Sequence, residues 1–141
     1  MLVKYQHLSP AHALPVLPAD PFRAVLLADR GVAPEWRNSI ATWLAASGCL
    51  YFIAWGTDCE AGHDSVDWAN LETFDYGEIP DERFIMTTWH VKESLSEALW
   101  FAGQSASHPD VSLSETVLLH VTDEPRERRI LQAFKKAQTI S

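Results

Sequence analysis

Four side chains near the ends of two apolar runs have the chemistry of a nucleophilic site. Asp58, Cys59 and His63 follow the apolar run at 50–55, and His90 closes a later run. A cysteine attacks as its thiolate once a histidine accepts the proton, and a carboxylate holds that histidine in place. These residue types predict, as one alternative, a small hydrolase or transferase with the catalytic candidates Cys59, His63, His90 and Asp58.

The immediate neighbours of Cys59 argue against this chemistry. Asp58 and Glu60 flank the cysteine. Nearby carboxylates raise the pKa of a thiol, whereas a reactive thiolate needs a cationic neighbour or a helix N-terminus. We therefore expect that this protein has no catalytic activity. The small hydrolase or transferase remains the alternative.

Metal and nucleotide sites lack their usual residue spacing in this chain. Cys59, His63, Asp64 and His90 carry suitable donor atoms, but the sequence contains no Cys-x-x-Cys or His-x-x-x-His pair. It also contains no Gly-x-Gly-x-x-Gly stretch and no Walker loop. We expect neither a metal nor a cofactor.

The middle of the chain is strongly acidic. The whole chain has a formal net charge of -8. Residues 58–97 contain eleven Asp or Glu against two basic residues, Arg83 and Lys92, which gives this segment a charge of -9. Such a segment repels phosphates and attracts cations, so we expect a basic protein partner and no nucleic acid. The alternative, that the charge only keeps the protein soluble, stays open.

Aromatic residues accompany this acidic segment. Six tryptophans are many for 141 residues, and two of them, Trp55 and Trp89, end predicted strands. Aromatic side chains surrounded by carboxylates are typical of a protein-recognition surface, although packing in the core is the alternative. The predicted binding residues are Trp55, Asp58, Glu60, Asp64, Trp89 and His90. The predicted function is that of an acidic binding protein, in the manner of an immunity or regulatory factor.

Cysteine usage and hydropathy indicate the compartment. The two cysteines, Cys49 and Cys59, are too few for a disulfide framework, and Cys49 is interpreted as a small core residue. The first residues lack the pattern of a signal peptide, and no apolar run approaches the length of a membrane span. We expect a cytoplasmic protein without membrane contact. A homodimer through an edge strand or an apolar helix face stays open.

Strand and helix patterns alternate along the chain. Strands are predicted at 24–28, 50–55, 84–88 and 116–121, of which the first two have the apolar composition of buried strands. One helix is predicted to begin at Pro34, a second after Asp64 with Trp68 facing inward, and a third after the Ser94 cap. The last helix is predicted to begin after Asp123 or Glu124, with Pro125 in its first turn.

This alternation predicts the fold class. We expect an α/β protein of three layers, with a mostly parallel sheet of four or five strands flanked by helices, of the Rossmann or flavodoxin type. One domain is predicted over 1–141, with a proline-rich extended segment at 1–21. Whether residues 2–7 add an edge strand is open. His120, which lies within a predicted strand, is interpreted as a core histidine with satisfied hydrogen bonds.

Several short stretches resemble a known family. They are LADRG at 27–31, PEWR at 34–37, YFIAWGTDC at 51–59 and WH at 89–90. Together they resemble a family of short uncharacterised bacterial proteins over about 22–121. Because that family has no established activity, the resemblance implies no site residues. In size and charge alone, the chain is also similar to bacterial toxin-immunity proteins.

Overall fold

A computed structural model describes residues 2–140, and its centre is a five-stranded sheet in which every neighbouring pair of strands is parallel. The strands are β1 (Leu2–Leu8), β2 (Phe22–Ala28), β3 (Cys49–Gly56), β4 (Met86–His90) and β5 (Glu115–Val121), in the spatial order β1-β5-β2-β3-β4. This confirms the predicted α/β class. Met1 and Ser141, which the predicted domain over 1–141 includes, lie outside the described residues.

Four helices cover the two faces of the sheet. They are α1 (Pro34–Ala45), α2 (Cys59–Thr73), α3 (Leu95–Gln104) and α4 (Glu127–Ala137), and a 3-10 turn (Asp81–Arg83) precedes β4. Alternate residues of β2 point to opposite faces: Leu26 packs in the core with α1 and α2, and Leu27 packs in the core with α3 and α4. The structure therefore has three layers, as expected. None of these helices within residues 2–140 is long and apolar enough to cross a membrane.

The open question about the N-terminal residues is answered by β1. Residues 2–8 form an edge strand that pairs in parallel with β5. After β1 the proline-rich chain contains neither helix nor strand up to β2. It lies against the α1 side, where Trp43 donates its indole N–H to the carbonyl oxygen of Pro15 at 2.8 Å. The two edge strands are β1 and β4, and association of copies through either edge stays a prediction.

The direction of the chain reverses between two central strands. After β2 the chain passes to α1 on one face, whereas after β5 it passes to α4 on the other face. In open α/β sheets, the carboxyl ends of two such strands form the crevice in which ligands usually bind. In dinucleotide-binding sheets of this class the first strand is central, but here β1 lies at an edge.

Two predicted helix starts are wrong. The second helix begins at Cys59, not after Asp64, because Gly56 and Asp58 adopt positive φ angles of 98° and 54° and turn the chain at once. A Cβ atom at Gly56 would collide with the carbonyl oxygen of Ala28, so this sharp turn needs glycine. The last helix begins at Glu127, after the predicted caps and Pro125.

The early start of α2 changes which residues face the core. Its buried side is formed by Cys59, Gly62, Val66, Ala69 and Asn70. This helical spacing leaves Trp68 on the outside, with 59% of its surface exposed. The prediction that Trp68 faces inward is therefore wrong, because it assumed a helix that begins several residues later.

Candidate functional site

Cys59 lies at the first position of α2 and not in an open loop. Its side chain is only 4% exposed and packs in the core between α2 and the sheet. Asp58 and Glu60, beside it in the sequence, are exposed. The thiol thus contributes to helix packing, while the two flanking carboxylates face the solvent.

The two histidine candidates lie on opposite faces of the sheet. The ring of His63 packs against Trp89 at an angle of 53°, with 4.4 Å between ring centroids, on the α2 side. His90, the next residue of β4, packs against Phe101 of α3 at 4.8 Å. Adjacent residues of a strand point to opposite faces. A site that joined Cys59 to His90 would have to reach across the sheet, and the Cys–His–Asp site stays a prediction.

Each of these histidines is held by carboxylates. The Nδ1 atom of His63 lies 3.0 Å from Asp64 Oδ1, and its Nε2 atom lies 3.3 Å from Asp67 Oδ2. The Nδ1 atom of His90 lies 2.7 Å from Glu93 Oε2. Among residues 2–140, no group of three or more His, Cys, Asp or Glu side chains is placed to hold a metal ion.

The second cysteine is a packing residue, as predicted. Cys49 is buried at the start of β3, and burial raises the pKa of its thiol to about 12. The thiol contacts the carbonyl oxygen of Tyr51 at 3.5 Å. A thiol with so high a pKa remains protonated at neutral pH and is a poor nucleophile.

The exposed aromatic residues are concentrated in one part of the chain. The large aromatic side chains that are exposed among residues 2–140 are Trp68 (59%), Tyr76 (59%), Phe84 (44%) and Trp89 (44%). All four lie within the acidic segment 58–97, in which ten of the eleven carboxylates are exposed. We call these four aromatic residues and the exposed carboxylates of 58–82 the acidic–aromatic surface.

Local contacts hold this surface in place. The ring of Trp68 meets Tyr76 edge-on, with 6.3 Å between centroids, and positive φ angles at Asp75 and Tyr76 form the turn that brings the tyrosine back. The buried side chain of Asn70 accepts a hydrogen bond from the Ile85 N–H and donates one to the carbonyl oxygen of Arg83. Asn70 therefore ties α2 to the segment that precedes β4.

A groove of about 390 Å³ runs along this surface between α1 and α2. Asp64, Trp68 and Glu72 of α2 form part of its wall, and Arg37, Asn38 and Thr42 of α1 face them. The two carboxylates outnumber the single guanidinium group of Arg37, so the wall keeps a negative excess beside an indole ring. A cationic side chain gains from both the carboxylates and the ring.

The sheet separates the predicted binding residues into two groups. Asp58, Glu60, Asp64 and Trp89 belong to the α2 side. Trp55 and His90 belong to the α3 side, where the Trp55 indole donates to the carbonyl oxygen of Glu93 at 2.8 Å. The six residues therefore lie on two faces of the sheet, and their joint role in binding stays a prediction.

A polar network at the reversal between β2 and β5 was not predicted as a unit. His120 is 1% exposed; its Nε2 atom lies 2.7 Å from Asp29 Oδ2, and its Nδ1 atom lies 2.8 Å from the Tyr5 hydroxyl. The Arg126 N–H donates to the same hydroxyl. His120 is thus a core histidine with satisfied hydrogen bonds, as predicted. Tyr5 was missed because its contact depends on the pairing of β1 with β5.

These features define the class of protein: a three-layer α/β fold with a parallel sheet, whose exposed aromatic residues lie within its most acidic segment. The chain belongs to the family described as a domain of unknown function (DUF7684), whose profile matches residues 3–137. This confirms the expected membership of a family without known activity. Neither the search of curated proteins nor the search of solved structures finds a match.

Proposed function

We propose that this protein binds a basic protein partner through its acidic–aromatic surface and does so without catalysis. The observation that carries the proposal is the coincidence of two properties. The exposed aromatic residues between Trp68 and Trp89 lie in the same segment that holds a charge of -9. Exposed tryptophan and tyrosine residues contribute most to binding energy in protein interfaces, and charge complementarity speeds and directs association.

The groove between α1 and α2 is the centre of this proposed interface. An arginine or lysine of the partner that enters it would contact Trp68 and the carboxylates of Asp64 and Glu72. The indole ring attracts a cation across its face, and the carboxylates accept charged hydrogen bonds. A role as an immunity or regulatory factor, in which one protein neutralises another, is part of the same proposal.

The cytoplasmic location and bacterial origin expected from the sequence also remain part of the proposal. Both cysteines are free and buried, which is compatible with a reducing compartment.

A matched pair of charge variants tests the proposal. The immobilised protein is incubated with a bacterial lysate at low salt. Each basic protein that it captures is then purified and titrated against it. Asp64→Asn combined with Glu72→Gln removes two charges from the groove, and we expect affinity to fall about tenfold or more. Asp110→Asn combined with Glu124→Gln removes two exposed charges elsewhere, and we expect less than about a twofold change.

The outcome against the proposal is equally specific. Equal losses in both double variants would show that only net charge matters, and the surface would then have no role as an interface. Capture that persists in high salt and in the Trp68→Ala variant would also contradict it, because both the charge and the aromatic contribution would then be dispensable.

A further inference from the structure

A second concave site lies on the opposite side of β4, at the start of α3. This pocket has a volume of about 560 Å³, within the range of small-molecule sites. Its main walls are formed by His90, Glu93, Glu97, Trp100 and Phe101. None of the four exposed aromatic residues of the acidic–aromatic surface lines it, so the pocket is a separate feature.

The walls of the pocket are held by contacts within the protein. His90 is 7% exposed, and its ring is fixed between Phe101 and the Glu93 carboxylate. The Trp55 indole N–H holds the backbone of Glu93, and the Trp100 indole N–H donates to the carbonyl oxygen of Ile140 at 3.2 Å. A site whose walls are already ordered loses little entropy when a ligand enters.

The charge of the walls selects the kind of ligand. Glu93 and Glu97 are exposed at the rim, and no Lys or Arg side chain among residues 2–140 lines the pocket. The N-terminus of α3 alone would favour an anion. However, the Ser94 hydroxyl already accepts the hydrogen bond of the Glu97 N–H, and the two carboxylates repel an anion at this end. The rim therefore favours a cation.

We propose that this pocket binds a guanidinium group. A guanidinium is planar, so it can lie against an aromatic ring such as Trp100 while its N–H groups donate in a fork to a carboxylate. A compact ammonium group has a stronger hydration shell and cannot make the forked contact, so it fits these walls less well. The proposal does not depend on the proposed function, because it concerns other residues and another face of the sheet.

An NMR titration with three small probes tests this assignment. The probes are free L-arginine, an arginine blocked at both ends as in a polypeptide, and blocked citrulline, its uncharged counterpart. We expect blocked arginine to shift the indole N–H signals of Trp100 and Trp55, and citrulline to bind at least about tenfold more weakly. Stronger binding of free arginine would indicate a small-molecule ligand, and stronger binding of the blocked form would indicate a polypeptide one.

Two outcomes of that titration would overturn the proposal. The first is citrulline binding as tightly as blocked arginine, since the charge would then have no role. The second is the absence of any shift at Trp100, since the ligand would then lie elsewhere.

A pair of variants with the same change in charge completes the test. Glu97→Gln removes one rim carboxylate but keeps a side chain suited to the third position of a capped helix, so the fold is preserved. We expect it to weaken blocked arginine binding about fivefold or more. Glu124→Gln, at an exposed position between β5 and α4 that belongs neither to the pocket nor to the acidic–aromatic surface, is expected to leave binding unchanged. Equal weakening by both variants would show that the effect arises from long-range charge alone. This result would contradict the proposal that arginine binds in the pocket.

Discussion

Two regions along the sheet differ in whether their polar side chains bond to one another or face the solvent. Where β1, β5 and β2 end, Tyr5, His120 and Asp29 form a continuous hydrogen-bonded network, and Arg30 pairs with Asp123 at 2.6 Å. Beside β3 and β4, the acidic–aromatic surface exposes aromatic rings and an excess of carboxylates to solvent. The first region satisfies its polar groups internally, and the second leaves them available.

The difference shows why polar residues after parallel strands do not by themselves mark a site. The reversal between β2 and β5 is where ligands usually bind in such sheets, yet here its groups are partners of one another. Buried polar groups must be paired within the protein, because leaving one unpaired costs about 1–3 kcal/mol. Groups at the surface have no such constraint, so an exposed aromatic residue among carboxylates is the stronger indication of binding.

The largest expected effect concerns His120, the buried residue of this network. We predict that His120→Ala lowers the free energy of unfolding by about 3 kcal/mol, because it leaves a cavity and deprives Tyr5 and Asp29 of their partner. Urea denaturation of the variant and the wild type measures this difference. Trp68→Ala is the control from the exposed region, where we expect less than about 1 kcal/mol. Similar losses in the two variants would remove the contrast between the regions.

A smaller effect is expected at the end of the same network. We predict that Tyr5→Phe costs about 1 kcal/mol at pH 8, since it removes one hydroxyl that bonds His120 and the Arg126 N–H. Burial raises the pKa of Tyr5 above its ordinary value of 10.0. The folded state therefore holds this proton more tightly than the unfolded state does. That contribution is present below pH 10 and is lost as the pH rises through the raised pKa.

The pH dependence gives this prediction its control. Unfolding measured between pH 8 and pH 11 should show a smaller alkaline loss of stability in Tyr5→Phe than in the wild type. Parallel curves for the two proteins would mean that the fold does not raise the pKa of the Tyr5 hydroxyl. The polar groups of the network would then be as accessible to solvent as those of the acidic–aromatic surface.

The smallest expected effect has the opposite sign and belongs to the acidic segment. Glu78 is exposed in the loop that follows α2. We predict that Glu78→Gln stabilises the protein by up to about 0.5 kcal/mol at low salt, because it relieves repulsion among like charges. The gain should disappear in about 1 M salt, where such repulsion is screened. A destabilised variant would show that Glu78 has a favourable partner and that the carboxylates are not simply in excess.

Much of the architecture could be predicted from local patterns. The apolar runs that form β2, β3 and β5 are long enough and apolar enough to be recognised as strands without tertiary information. The helix that begins after Ser94 was also predicted, and its serine cap is present. The start of α2 was missed, since it depends on positive φ angles at Gly56 and Asp58 that leave no periodic signal.

The candidate site was less predictable than the fold. The spacing of Cys59, Gly62, Val66 and Ala69 was a signal for the buried side of α2, and it would have placed Trp68 outside. The separation of Trp89 from His90 follows from strand alternation, which predicts opposite faces for neighbours. Which helix covers each face, however, is a matter of the crossover connections and cannot be read from either residue.

The amino-acid sequence by itself determined the alternation of strands and helices, the acidic segment and its aromatic content, because these depend on composition and on periods of a few residues. Only the tertiary structure decided that β5 lies between β1 and β2, and that Tyr5 meets His120 across 115 positions of the chain. Such contacts depend on strand order and register, which arise from the packing of the whole sheet and not from any local stretch. The fold therefore determines both the hydrogen-bonded network of Tyr5, His120 and Asp29 and the exposure of the acidic–aromatic surface.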